Sequence, residues 1–136
     1  MVYVKQITSA AELVQAQQIR HQVFVEEQGI PAELEYDEAD RTATHVLAYQ
    51  DEHAVATGRL LISVDGLGIL GRIAVIASER GQGIGGQVVR QLEQCAVAAD
   101  VQRLILHPHA YLEKFYTALG YQTVAGGEST VGAHRL

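Results

Sequence analysis

Four glycines fall within six positions in the run Arg80-Gly81-Gln82-Gly83-Ile84-Gly85-Gly86, between an apolar stretch over 70–76 and an amphipathic segment over 87–99. A backbone so poor in Cβ atoms lets its N–H groups approach a ligand that side chains would hold away. Downstream, Val88, Val89, Leu92, Cys95, Ala96 and Ala99 recur at helical spacing, while Gln87, Arg90, Gln91, Glu93 and Gln94 fall on the other face. That spacing predicts a helix that buries one side and begins at the glycine run. Its first turn leaves N–H groups without intrahelical partners at the positive end of the helix dipole, a place that favours phosphate oxygens. Arg80 adds a fixed cation beside it, so the stretch reads as a pyrophosphate site.

Several phosphate loops compete for this reading. Gly81-x-Gly83-x-x-Gly86 satisfies the dinucleotide-binding pattern, but that unit needs an acidic residue about 20 positions on, at the end of the next strand, to hold a ribose. The strand expected over 101–106 ends in His107-Pro108-His109 with no carboxylate, and too little chain follows for a doubly wound sheet. A nucleoside-triphosphate loop would need Gly-Lys-Ser/Thr, which is absent. A purely structural turn would not require this order of strand, basic residue, glycines and helix. Arg80-x-x-Gly83-x-Gly85 instead resembles the coenzyme A signature of the GNAT-type N-acetyltransferase superfamily, Arg/Gln-x-x-Gly-x-Gly/Ala. Phe115-Tyr116-x-x-Leu119-Gly120-Tyr121 resembles that family's motif on the helix after the fifth strand. Four more segments resemble its ElaA/YjcF-like branch: Val23-Phe24-Val25-Glu26-Glu27-Gln28-Gly29-Ile30-Pro31, Thr44-His45-Val46, Gly71-Arg72-Ile73-Ala74-Val75 and Gly132-Ala133-His134.

At 136 residues the chain suits a single domain, 1–136, with a real core. Its net charge of −6 argues against a nucleic-acid partner, which would want a basic footprint. Cys95 stands alone on an apolar stripe and reads as a buried thiol. No apolar run approaches the length of a membrane span, and the first residues lack the pattern of a signal peptide, so a cytoplasmic protein is expected.

In chain order, a strand is expected over 2–7, followed by a helix over 10–27 that opens with the capping box Ser9-x-x-Glu12 and stops at Gln28-Gly29 and Pro31. Seven carboxylates then crowd between Glu26 and Asp40 with no lysine or arginine among them. They read either as a solvated acidic loop or as a wall of an acceptor site that attracts a cationic amine. Runs over 44–49, 54–64 and 67–75 form an antiparallel meander. Asp65-Gly66 is expected to take positive φ at both positions in its second turn. A strand over 101–106, a helix over 110–119 and strands over 120–124 and 130–136 complete the chain. This order matches the acyl-CoA N-acyltransferase (GNAT) fold: an α/β (α+β) domain with a mixed, mostly antiparallel central sheet of six to seven strands flanked by helices.

The resemblance implies an acetyl-CoA-dependent N-acetyltransferase that acts directly on a primary amine of a small molecule or peptide, without a metal. Backbone groups of Ile73, Ala74 and Val75 would pair with the pantetheine arm. The coenzyme's phosphates would lie on the N–H groups of Gly81, Gln82, Gly83, Ile84, Gly85 and Gly86. Tyr116 falls where the family protonates the departing thiolate, a suitable task for a phenol with a pKa of about 10. Packing beside Phe115 and Leu119 is the other reading of Tyr116. His109 occupies the place of an asparagine common in the family, seven residues before that tyrosine. It is a candidate base, or a hydrogen-bond partner of the pantetheine. Glu27, His45 and Glu79 are further candidates for the base. Arg59 and Arg72 lie on adjacent strands and should need acidic partners from the 26–40 segment. The same fold could instead serve as a non-catalytic acyl-CoA-binding or partner-docking module. Acetyltransferases of this type are often homodimers, and the last strand is expected to offer an exposed edge for pairing.

Overall fold

The computed structural model describes residues 2–63, 65–106, 113–124 and 131–135. Strands at Val2–Gln6 (β1), Thr44–Gln50 (β2), His53–Ile62 (β3), Leu67–Val75 (β4), Arg103–Leu106 (β5), Gln122–Val124 (β6) and Val131–Arg135 (β7) form one seven-stranded sheet in the order β1-β2-β3-β4-β5-β7-β6. Every neighbouring pair is antiparallel except β4 and β5, which run parallel. The last strand, β7, therefore lies inside the sheet and pairs on both sides, contrary to the expected free edge; β1 and β6 are the edges.

The first helix, α1 (Ala10–Arg20), starts at Ser9, whose Oγ accepts the Glu12 N–H at 3.2 Å. The Glu12 carboxylate reaches back one residue further than a capping box requires, to the Thr8 N–H at 2.9 Å. The helical path expected to run to Glu27 does so, but its second part, His21–Glu27, is a π-helix. Here the Gln28 N–H donates to the Val23 carbonyl, five residues back. A one-turn helix, α2 (Ala32–Glu35), and a 3₁₀ turn, Glu38–Arg41, carry the acidic segment to β2. Two helices follow: α3 (Ile84–Ala98) and the short α4 (Glu113–Ala118).

Both faces of the sheet are covered. Val46 and Ala48 face α3, packing in a cluster with Val88, Val89, Leu92 and Ala96. Leu47, between them, points to α1 and joins Ala16, Ile19 and Val23. The two-residue alternation of a strand thus serves two cores, which explains the unbroken apolar character of β2. Glu93, expected on the solvent face of α3, is buried; it accepts the Tyr121 hydroxyl and the Arg90 guanidinium, each at 2.8 Å. The long span of Tyr121 and the cation at Arg90 supply partners that helical spacing alone does not reveal.

Of the Asp65-Gly66 pair, Gly66 takes the expected positive φ, at +77°. The Ser63 N–H donates to the Leu67 carbonyl at 2.8 Å, so the turn is longer than a two-residue hairpin. Further along, Thr57 pairs with Ala74 and Arg59 with Gly71, leaving Arg72 and Ile73 opposite Gly58 alone. This β-bulge puts Arg72 at φ +50°, a left-handed conformation that few side chains adopt. Gly58 has α3 close against it: a Cβ there would lie 2.8 Å from Val88 Cγ1 and 2.9 Å from Leu92 Cδ1.

Three arginines collect the carboxylates of the acidic segment. Arg20, 1% exposed, grips Asp40 at 2.8 and 3.1 Å and also binds Glu35. Arg59 binds Asp37 at 2.7 and 2.9 Å and Asp40 at 2.9 Å. Arg72 donates to the Glu35 carbonyl at 3.1 Å and to Asp37 at 3.3 Å. The partners expected for Arg59 and Arg72 are those observed, and Arg20 joins them. Burial pushes the Asp40 carboxyl up, but the hydrogen bonds and charges of Arg20 and Arg59 together outweigh it and hold the carboxyl below its ordinary value. Asp37 is lowered chiefly by its hydrogen bonds from Arg59.

Removing one member of a buried ion network leaves the others charged and unpaired, so Asp40→Ala should destabilise the fold by about 3–5 kcal/mol in denaturant unfolding. Both aspartates have folded pKa values below the unfolded value of about 3.9, so their contribution is complete above that pH and is lost as pH falls through the folded values. Stability measured against pH should decline on the acid side, and Asp40→Asn should flatten that decline. Gly58→Ala should destabilise by about 1–3 kcal/mol, because α3 must move off the sheet to admit the methyl group.

Candidate functional site

The parallel pairing of β4 with β5 extends from Leu67↔Arg103 to Leu70↔Leu106, whereas β4 itself continues to Val75. Beyond Leu70, no described residue supplies a strand partner on that side, and Ile73, Ala74 and Val75 border a cleft there, an open seam among the described residues. The Ile76 N–H crosses to the Val55 carbonyl of β3 at 3.0 Å. Strand alternation therefore turns the N–H and C=O of Val75 the other way, into the seam. There Arg80 Nε donates to the Val75 carbonyl at 2.9 Å.

A 3₁₀ turn, Ala77–Glu79, leads from β4 into the glycine run. Gly81 and Gly83 stand at φ +83° and +80°, and a Cβ at either would meet nothing within 4 Å. These two glycines are demanded by backbone conformation, and the space in front of them is open. Gly83 caps α3 without a side chain, leaving the N–H groups of the first turn to whatever occupies that space. Ile84, 1% exposed, pins the helix start to the core. Gly85 answers to packing: a Cβ there would come within 3.3 Å of Phe115 Cζ.

A cleft of about 660 Å³ joins these parts. Ile73, Ala74 and Val75 line it from β4; Arg80, Gly81, Gly83, Ile84 and Gly85 line it from the loop; Phe115 and Tyr116 line it from α4. Gln82 and Gly86 do not. Gln82 bonds Glu79 at 3.3 Å, and Gly86 faces Leu119 in a second cleft on the far side of the loop. Tyr116 is 7% exposed, its ring edge-on to Phe115 and to Tyr121 with centroids 4.9 and 6.1 Å away. It is thus both packed and part of the cleft wall. His109, with His107, lies outside the described residues.

The π-helical segment supplies the opposite wall through Val23 and Glu27, with Gln28 directly after it. Glu27 and Arg80 form a two-toothed ion pair, 2.7 and 2.8 Å, and its hydrogen bonds hold the Glu27 carboxyl below the ordinary value. Spacing did not foretell this pair, because 53 residues separate its members. Glu79 also borders the cleft, whereas His45 lies under the acidic segment with Nε2 3.0 Å from the Asp40 carbonyl and does not. Phe115, Val23 and Gln28 enter the site through folding; only their membership of apolar or motif segments hinted at them. Among the described residues no three metal-ligating side chains cluster.

The family model described as "Acetyltransferase (GNAT) family" matches residues 10–121. The uncharacterized N-acetyltransferase YjcF of Bacillus subtilis is 36% identical over 117 residues, covering 86% of this chain and 83% of its own. The crystal structure of Escherichia coli ElaA superimposes with a TM-score of 0.80 at 26% identity over 98% of each chain. A structure from Lactobacillus plantarum reaches a TM-score of 0.91 at 26% identity, covering 99% of this chain and 98% of that one. An open seam beside β4, a glycine loop capping α3 and these likenesses together place the chain in the GNAT family of acetyltransferases, whose chemistry is acyl transfer from acyl-coenzyme A.

Proposed function

We propose that the protein, a single domain over 1–136, is an acetyl-CoA-dependent N-acetyltransferase that acetylates a primary amine of a small molecule or peptide directly. The observation that carries this reading is the cleft itself, where the free edge of β4, the open face of the Gly81–Gly83 turn and the Tyr116 side chain meet. The residues present fit the coenzyme. Outward N–H groups at the start of α3 suit the diphosphate, and the seam-facing backbone of Val75, with Ile73 and Ala74 lining the same cleft, suits a pantetheine arm.

In the reaction a neutral amine attacks the thioester carbonyl, a C–N bond forms, the C–S bond breaks, and the amine loses a proton while the thiolate gains one. The Val75 N–H, turned into the seam, is our donor for the carbonyl oxygen as it gains negative charge. Tyr116 is our donor to the departing thiolate, and His109 our acceptor for the amine's proton, directly or through water. Holding the two reactants along one track contributes through proximity alone.

Thermal unfolding with acetyl-CoA, coenzyme A, NADH and ATP tests the loop. Ligand at about 100 times its dissociation constant adds about 2.7 kcal/mol, several degrees for a domain of this size. Both coenzyme A forms should shift the melting temperature and the others should not; a larger shift with NADH would defeat the reading. Thiol release should then accelerate with an amine from a primary-amine panel, whereas a pure binding module would show the shift without the release. Tyr116→Phe should keep coenzyme binding and lower turnover about a hundredfold or more. An unchanged rate would remove Tyr116 from the mechanism.

A further inference from the structure

The cleft is unevenly charged. Among its described lining residues Arg80 is the one cation, and two carboxylates, Glu27 and Glu79, share the lining with it. Arg80 spends its nitrogens on the protein: Nε on the Val75 carbonyl at 2.9 Å, Nη1 and Nη2 on the two Glu27 oxygens at 2.7 and 2.8 Å. A guanidinium fork accepts a carboxylate and a phosphate with the same two-toothed geometry. Glu27 therefore occupies the cation in the way that one phosphate of a diphosphate would.

We propose that Glu27 is an exchangeable counter-anion, holding Arg80 in the free protein, yielding it to the coenzyme's diphosphate, and then binding the ammonium form of the acceptor amine. The inference rests on the coenzyme reading given above.

Two observations make the exchange feasible. Side-chain accessibilities of 43% for Arg80 and 38% for Glu27 put the pair in contact with water, where such pairs are weak enough to be displaced. Glu27 is also the final residue of the π-helical segment, directly before Gln28 and the left-handed Gly29 at φ +74°, so it hangs at the end of an irregular helix rather than inside a regular one. Once diphosphate neutralises Arg80, Glu27 and Glu79 leave the cleft net negative, which selects a cationic acceptor and disfavours an anionic one. The ammonium then surrenders its proton before attack, a task that belongs to the base and not to Glu27.

The test is calorimetric titration of coenzyme A into the wild type and Glu27→Gln at low salt. Removing an internal competitor should tighten the dissociation constant about two- to fivefold. If Glu27 merely positions Arg80, the variant binds more weakly; equal or weaker binding overturns the exchange. No binding by the wild type defeats the proposed function and this inference together, whereas wild-type binding with an unimproved variant defeats the exchange alone. A crystal structure of the wild-type complex with coenzyme A gives a second measurement, independent of any variant. Arg80 should contact phosphate oxygens with Glu27 more than about 4 Å away, and a persistent Glu27–Arg80 pair overturns the proposal. With coenzyme A saturating, n-butylammonium should raise the melting temperature of the wild type more than that of Glu27→Gln; equal shifts, zero included, overturn the acceptor half.

Discussion

A guanidinium taken out of water must find anions or the fold does not form, and Arg20 at the end of α1 is such a group. Asp40 and Glu35 meet that requirement, and Asp40 shares its charge with Arg59 on the neighbouring sheet. One buried carboxylate thereby ties α1, the acidic segment and β3 at a single point. The segment over 32–41, whose large apolar side chains Leu34 and Tyr36 stay exposed, is held in place by charge. Its position in turn closes the chain after the π-helical segment, from which the cleft takes Val23 and Glu27.

The second constraint acts on β4. With β3 on one side it is paired through Val75, but the bulge at Arg72 and Ile73 adds a residue and turns the strand, and among the described residues β5 pairs its first half, Leu67 to Leu70. Arg72 tolerates a left-handed backbone because its side chain gains Asp37 and the Glu35 carbonyl in return. The network that fastens the acidic segment thus reaches to the strand beside the open seam. Substrate-facing backbone and structural ion pairs are two sides of the same irregularity.

Legibility followed the length scale of the interactions. Ser9 and Glu12 lie one helical turn apart, so their mutual capping could be read directly, even though the carboxylate settles on the Thr8 N–H. The glycine run was read as a backbone whose N–H groups can approach a ligand, and the structure has open space before Gly81 and Gly83, both of which also take positive φ. The acidic run was read as solvated or as an acceptor wall, and five of its seven members, Glu27, Glu35, Asp37, Glu38 and Asp40, proved to be arginine partners, because net charge says nothing of where cations come to rest after folding. Glu93 looked outward on a helical wheel, yet Tyr121, brought by the turn after α4, buries it with a hydrogen bond. Of the catalytic pair expected from the resemblance, Tyr116 is at the cleft, and His109 is outside the described residues.

By itself the sequence determined what depends on neighbours within a turn or two: the helix starts, the glycine loop, the meander of β2, β3 and β4, and the family to which these motifs point. Tertiary structure decided everything that requires distant segments to meet. It placed β7 inside the sheet, chose Glu27 as the partner of Arg80 from 53 residues away, and, among the described residues, left half of β4 without a strand partner on the β5 side, beside a cleft. The physical reason is that periodicity and turn chemistry are set by local backbone sterics, whereas pairing is set by which buried polar groups and apolar faces can be satisfied at once, a condition only the closed fold can meet.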